Sequence, residues 1–335
     1  MEYRKLGTSG VKVSPICLGT MMFGDRTDAT EAGRIVESAR AAGINFIDTA
    51  DAYAKGESER ITGKLIAPDR EQWVLATKVG NPMGKSPNDT GLSRSWLMRA
   101  IEASLQRLNT DWVDIYYLHL DDPSTPIEET LTAVGEIMAS GKARYFGISN
   151  YRAWRIAQIV ETCGRLGVPA PIVCQPYYNA MNRMPETEVL PACAHYGLGV
   201  VPYSPLARGV LTGKYAPGQA PGADTRAGQK DQRMMETEFR EESMVMAQKL
   251  KAHAEKRGMS AGQFAVNWVL NNRIVTSVLA GPRTFEQWTE YLGAMEHQFA
   301  AEDEALVDAM VKAGHPSTPG YNDPKYPLTG RPTYV

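Results

Sequence analysis

The feature that most constrains this chain is a rhythm. Short apolar runs alternate with longer segments of helical period, eight times over. The runs are Pro15–Gly19, Ile44–Asp48, Trp73–Lys78, Val113–Leu118, Ala143–Ser149, Ile172–Gln175, Leu198–Tyr203 and Thr276–Ala280. Each has the length of a buried strand. Between them, segments such as Ala29–Ala42, Ser93–Leu108 and Pro126–Ser140 carry helical periodicity, and the first and third stop at Gly43 and Gly141. No solenoid repeat and no dividing linker interrupts the order. Eight strand–helix units in sequence predict an α/β fold: a single-domain (β/α)8 TIM barrel spanning residues 1–335. No G-x-G-x-x-G follows any of the runs, so a Rossmann dinucleotide site has no support.

Five segments fall outside the rhythm. Arg4–Val13 reads as strand, Gly-Thr-Ser-Gly turn, strand, which predicts an N-terminal β-hairpin. Residues 213–232 are rich in Gly, Pro and charge, a long loop of the kind that usually has a function. Glu236–Arg257 predicts an extra amphipathic helix, residues 301–313 a last helix, and 314–335 an irregular C-terminal tail. The 43% apolar content supplies an ordinary core, and a net charge near −2 gives no electrostatic reason to expect nucleic acid or an anionic membrane. The N-terminus has no secretory h-region, and no apolar run approaches the length of a membrane span. Cys17, Cys163, Cys174 and Cys193 lack C-x-x-C spacing and read as buried hydrophobes in a reducing cytoplasm.

In such a barrel, reactive side chains sit at the C-terminal ends of strands. Asp48 ends the second run, with Tyr53 in the loop behind it; Lys78 ends the third, and His119 follows the fourth. Singly, each has an ordinary explanation: a solvated lysine, a histidine satisfied in the core. Four of them at successive strand ends call for a shared purpose. A phenol titrates at ~10, too high for acid or base work near neutrality, and a neighbouring ammonium would favour its phenolate. A carboxylate would hold that ammonium in place, and a neutral imidazole could donate to a carbonyl oxygen. The set suits proton transfer at an oxygen whose carbon gains or loses hydride. No Ser or Cys nucleophile is paired with a base. His119-Leu120-Asp121 is too small a ligand set for a metal, and of the five histidines (119, 195, 253, 297, 315) only His119 lies at a strand end.

The motifs carry a resemblance. Cys17-Leu18-Gly19-Thr20-Met21-Met22-Phe23-Gly24, Asn45-Phe46-Ile47-Asp48-Thr49-Ala50 with Tyr53, Ala76-Thr77-Lys78, Tyr117-Leu118-His119 and Gly147-Ile148-Ser149-Asn150 occur in that order. Gln175-Pro176-Tyr177-Tyr178-Asn179, Tyr203-Ser204-Pro205-Leu206-Ala207-Arg208-Gly209-Val210-Leu211-Thr212-Gly213-Lys214-Tyr215 and Gly281-Pro282-Arg283-Thr284 with Gln287 complete it. From about residue 3 to 295 the chain resembles the aldo-keto reductase superfamily, most of all its long-loop bacterial members and the potassium-channel β-subunits.

The resemblance implies a metal-free NADP-dependent oxidoreductase of the carbonyl reductase and alcohol dehydrogenase class, acting on a small-molecule carbonyl or alcohol. It makes Tyr53 the general acid, Lys78 the group that lowers its pKa, Asp48 the partner of Lys78, and His119 the residue that polarises the carbonyl. Ser149, Asn150 and Gln175 would hold the nicotinamide carboxamide. Ser149-Asn150 also reads as a helix cap, and the two readings are compatible. Tyr203, otherwise a core aromatic, would stack on the ring. Gly19, Thr20 and Met21, with Asp48, fall on the cofactor side. Ser204, Pro205, Leu206, Gly209 and Lys214 would line the pyrophosphate. Gly281, Arg283, Gln287 and Glu290 would meet the adenosine, where Tyr291 replaces an Asn that many relatives direct at adenine. Arg283 and Arg226 would select the 2′-phosphate of NADP(H). Channel β-subunits carry Asn where this chain has His119, which favours an enzyme over a regulatory subunit. A homo-oligomer is left open. Phe23, Tyr53, Met83, Trp96, Tyr178 and the tail are candidates for an apolar substrate pocket.

Overall fold

The computed structural model describes residues 1–330, so the last five residues of the expected tail lie outside the described residues. A two-stranded antiparallel hairpin opens the chain, β1 (Arg4–Lys5) and β2 (Lys12–Val13). Eight strands then form one parallel sheet: β3 (Ile16–Gly19), β4 (Phe46–Asp48), β5 (Val74–Val79), β6 (Val113–Leu118), β7 (Ala143–Ser149), β8 (Val173–Gln175), β9 (Gly199–Val200) and β10 (Val278–Ala280). Their order is β10-β3-β4-β5-β6-β7-β8-β9. Val200 bridges Val275 in parallel, and the backbone N–H groups of Thr276 and Leu279 donate to the Val200 and Pro202 carbonyls at 2.8 and 3.0 Å. Those bonds join β9 to the approach of β10, so the sheet curls back on itself as the strand count predicted.

The helices are α1 (Ala29–Ala41), α2 (Glu57–Ile66), α3 (Arg94–Leu108), α4 (Ile127–Ala139), α5 (Ala153–Leu166), α6 (Val189–Tyr196), α7 (Gln232–Thr237), α8 (Glu241–Lys256), α9 (Ala261–Asn271), α10 (Phe285–Gly293) and α11 (Ala301–Met310). Side-chain caps start several of them. Asp28 accepts from the Glu31 N–H, Ser93 from Trp96, and Ser260 and Gln263 cap α9 reciprocally. Asn109 ends α3 in a left-handed conformation (φ 51°), where its short polar side chain is tolerated. The single helix expected over 236–257 is instead α7 and α8, because Glu238 is buried against Arg208 at 3.0 Å and Arg240 is extended. Nothing between Thr212 and Gln232 forms a regular element.

The described residues divide into two compact units that interleave along the chain. The first comprises Met1–Tyr177, Glu188–Tyr203 and Asn272–Leu292 and holds the whole sheet. Leu6, Val13, Cys17, Phe46, Ala76, Ile115, Tyr117, Val173 and Val201 form its inner core, so Leu6 and Val13 of the hairpin pack with residues of the strands. Gly147 makes room for this: a Cβ there would lie 2.6 Å from the Tyr117 ring. The second unit comprises Tyr178–Thr187, Ser204–Asn271 and the chain from Gly293 on. There the tail is irregular, as expected, and anchored: Asp323 accepts two bonds from Arg233 at 3.0 and 2.6 Å, and Tyr321 lies 3.8 Å beneath the Arg240 guanidinium. The four cysteines are buried and free. No described helix is long and apolar enough to cross a membrane.

One position tests the packing of α2 on α3. Gly63 sits inside α2, where helix propensity alone favours Ala by ~0.8–1.0 kcal/mol. A Cβ there, however, would lie 2.1 Å from the Leu108 carbonyl oxygen and 2.5 Å from its carbon. Backbone cannot turn aside as a side chain can, so the helices must separate, at ~1–3 kcal/mol. Gly63→Ala should therefore lower the thermal midpoint; a rise would show that propensity wins.

Candidate active site

The parallel register brings the functional strand ends to one rim. Gly19 faces Asp48, Asp48 faces Ala76, Lys78 faces Tyr117, and Ser149 faces Gln175. Because strands in one direction end on one side, residues far apart in sequence are delivered together. All of these positions, with Tyr53, His119, Asn150 and Tyr203, belong to the first unit.

Lys78 and Asp48 are fully buried and form an ion pair. The Lys78 ammonium also donates to the Thr49 carbonyl at 2.8 Å and lies 3.3 Å from the Tyr53 hydroxyl. The second Asp48 oxygen accepts from Gln175 Nε2 at 3.0 Å. Burial by itself would discharge a lysine, but Asp48 and Tyr53 outweigh it and hold the ammonium above its ordinary value. Burial pushes the Asp48 carboxyl up, against the pull of Lys78 and Gln175. Asp51, three residues on, is also buried, and burial followed by the nearby Glu59 pushes its carboxyl up to about 8.

Tyr53 differs from expectation in one respect. The residue as a whole is half-buried, yet burial of the hydroxyl is the largest influence and raises its pKa; Lys78 pulls down, Asp48 pushes up, and the net direction is up. The lysine acts with the expected sign and is outweighed. A phenol so held keeps its proton through the neutral range.

His119 stands edge-on to Tyr53, ring centroids 5.9 Å apart. Its backbone is pinned from two sides: its N–H donates to the Val79 carbonyl at 2.9 Å, and its carbonyl accepts from Asn150 Nδ2 at 2.8 Å. Asn150, left-handed at φ 64°, also donates to Ser149 Oγ at 3.0 Å and accepts from the Tyr203 hydroxyl at 2.8 Å. Tyr203 stacks on Tyr177, centroids 5.6 Å apart. The Ser149 hydroxyl donates to the Gln175 carbonyl at 2.9 Å. Hydrogen bonds therefore run from Tyr53 through Lys78, Asp48, Gln175, Ser149 and Asn150 to Tyr203.

Other expected positions fall as follows. Thr20 is buried, its hydroxyl against the Asp48 carbonyl (3.2 Å) and Ser58 (2.9 Å), while Met21 beside it is exposed. Gly281 is exposed. Arg283 is fixed through its backbone, its N–H on Gln287 Oε1 and its carbonyl accepting from Thr27, both at 2.8 Å. Glu290 is partly buried, and Tyr291 is buried. Of the apolar pocket candidates, Phe23, Trp96 and Tyr178 are core residues, whereas Met83 is partly exposed.

In the second unit, Ser204, Ala207, Arg208 and Gly209 all have positive φ (56°, 46°, 51° and 93°), with Pro205 and Leu206 between them. Such a loop turns backbone N–H groups to one side. A Cβ on Gly209 would come 2.9 Å from the exposed Lys214 ammonium, so the glycine gives that cation its seat. Arg226 lies 3.6 Å from Asp231.

Two neighbours of the tetrad carried no signal in the sequence. Asn81 Nδ2 lies 2.9 Å from His119 Nδ1, and Ser58 stands between Thr20 and Thr49 at 2.9 Å from each. Neither occupies a strand end, the position at which a polar residue stands out in a parallel α/β sequence.

Residues 15–312 match the Aldo/keto reductase family. The chain belongs to that family. It is 37% identical over 301 residues to a rice protein (Oryza sativa subsp. japonica) named "Probable voltage-gated potassium channel subunit beta", covering 88% of this chain and 92% of that one. It is 37% identical over 307 residues to the uncharacterized oxidoreductase YrpG of Bacillus subtilis, covering 88% and 91%. It is 33% identical over 324 residues to L-glyceraldehyde 3-phosphate reductase of Escherichia coli O157:H7, covering 94% and 93%. This aldo/keto reductase is accordingly an oxidoreductase, of a family that uses nicotinamide cofactors and acts on small carbonyl compounds.

Proposed function

We propose that the protein reduces an aldehyde or ketone to the alcohol, with NADPH as cofactor and Tyr53 as the general acid. The observation that carries this reading is the buried Asp48–Lys78 pair set against the Tyr53 hydroxyl, with His119 edge-on to that phenol. A bound reduced nicotinamide supplies the hydride. Tyr53 gives its proton to the carbonyl oxygen as the carbon is reduced. The phenolate left behind faces the Lys78 ammonium, which stabilises it electrostatically in a water-poor site. Asp48 keeps Lys78 charged and in position, and His119 donates to the same carbonyl oxygen. The direction of the Tyr53 shift suits this role, since an acid must hold its proton until the substrate arrives.

The residues fit such a cofactor, each unit on its own terms. In the first, the amide of Gln175 and the Ser149–Asn150 pair offer the donors and acceptors that a carboxamide requires. In the second, the Ser204–Gly209 loop and the Lys214 ammonium seated at Gly209 suit a pyrophosphate, where small residues and a cation permit close approach. The test is NADPH oxidation by purified protein across aldehydes, ketones and keto-sugars. No turnover on any of them would overturn the reading.

NADPH should be preferred to NADH. The 2′-phosphate adds a dianion, and Arg283 presents a guanidinium from a corner held on both backbone sides. One charge-assisted bond is worth ~1.5–3 kcal/mol, about tenfold or more in affinity. Arg283→Ala should therefore narrow the ratio of the two Kd values, and Arg226→Ala, made separately, tells whether that residue contributes. Equal wild-type affinities would remove the claim. A regulatory subunit is the second reading, since some relatives bear channel-subunit names. His119 weighs against it, and the same turnover assay decides.

A further inference from the structure

We propose that Asn81 is a positioning residue that holds the His119 imidazole neutral, with its single ring proton on Nε2. The contact is Asn81 Nδ2 to His119 Nδ1 at 2.9 Å. An amide nitrogen can only donate, so the Nδ1 it faces must be an acceptor and carry no proton. The neutral ring then has its proton on Nε2, and a second proton on Nδ1 would bring two N–H groups against each other. The partner of one ring nitrogen thus fixes what the other can do.

The backbone brings Asn81 to the ring. Gly80 has φ 133°, a conformation that side chains rarely adopt, and its carbonyl accepts from the Gly91 N–H at 2.9 Å and the Thr90 hydroxyl at 3.1 Å. That anchored turn follows β5 directly, while His119 is tied by its own N–H to Val79 in the same strand. Donor and ring are therefore both referred to the end of β5.

The charged groups nearby do not work against the assignment. Asp121 and Asp122 follow His119 in its own loop, but Asp121 pairs with Arg155 at 3.0 Å and Asp122 accepts from Ser124, Thr125 and the Leu92 N–H. From β5 comes Lys78, a cation that disfavours a second positive charge, and from the loop after β4 the protonated phenol of Tyr53. Asp48 is paired with Lys78.

The consequence divides the labour at the site. A histidine kept neutral donates a hydrogen bond from Nε2 but has no extra proton to give, so proton transfer falls to Tyr53. This part rests on the carbonyl reductase reading above; the protonation state of the ring does not.

The experiment is the ring 15N spectrum of full-length protein labelled at histidine, with His119 assigned by loss of its signals in His119→Gln. Wild type should show Nε2 protonated and Nδ1 bare. Asn81→Asp reverses the demand on Nδ1 and should place a proton there; Asn81→Leu should leave a mixture of tautomers. Carbonyl kcat/KM should fall by about 10–100-fold in Asn81→Asp, the usual cost of disturbing an orienting partner, with cofactor Kd unchanged. A wild-type ring protonated on Nδ1, or spectra identical in all three proteins, overturns the proposal. If the spectra respond and turnover does not, the Asn81 assignment stands and the role given to His119 at the carbonyl is wrong.

Discussion

Tyr53→Phe should lower kcat for carbonyl reduction by about 10²–10⁴-fold, the range that a positioned general acid contributes. The substitution keeps the ring, and with it the edge-on packing against His119 and the face that lies 4.9 Å from the Lys78 ammonium. Only the hydroxyl is lost, so cofactor Kd and thermal midpoint should change little. The pH dependence carries a sign. Because the phenol is held above its ordinary value, reduction should stay level through neutrality and decline only above about pH 10, as the acid loses its proton. Oxidation of the alcohol needs the phenolate and should rise with pH over the same span. A variant with wild-type kcat, or a reduction rate that falls through pH 6–7, would take the acid role away from Tyr53.

Much of this candidate site is legible in the sequence, and the reason is geometric. Parallel strands that alternate with helices must end on one side, so a polar residue that closes an apolar run is already placed at the rim. Asp48 and Lys78 were legible because each terminates such a run, and His119 because it follows one. Tyr53 was legible by nearness to Asp48. Asn81 was hidden because its position depends on the turn at Gly80, and its partner is 38 residues away in sequence. Ser58 was hidden for a related reason, lying one residue inside α2 and reaching back to Thr20 and Thr49.

Balances of opposing effects were the other limit. From residue types alone, Lys78 lowers the Tyr53 pKa; the burial that outweighs it depends on how closely the hydroxyl is packed, which no motif records. The break between α7 and α8 is similar. Glu238 looks like one more charged residue on an amphipathic helix until its burial against Arg208 is seen. Phe23 and Tyr178 were plausible pocket walls by type, and the fold spends them on its core.

Lys78→Met should have two separable effects, because Lys78 belongs both to the fold and to the proposed proton transfer. Removing the ammonium leaves Asp48 buried, with the Gln175 amide still donating to it. Deleting one partner of a buried ion pair costs ~3–5 kcal/mol, since the other charge is stranded or must take up a proton. A fall in thermal midpoint is therefore expected and proves nothing about catalysis. The double variant Lys78→Met/Asp48→Asn removes both charges and keeps an amide beside Gln175, so it should recover most of that stability. It should not recover turnover. With Lys78 gone, the phenolate formed at Tyr53 has no ammonium 3.3 Å away, and kcat should stay depressed by about 10²-fold or more in the single and double variants alike. Cofactor Kd in the single variant should remain near wild type, because an interaction realised in the proton-transfer step appears in kcat. A double variant that regains turnover would make Lys78 a purely structural residue. A loss confined to cofactor Kd would move it from the proton-transfer step to cofactor binding.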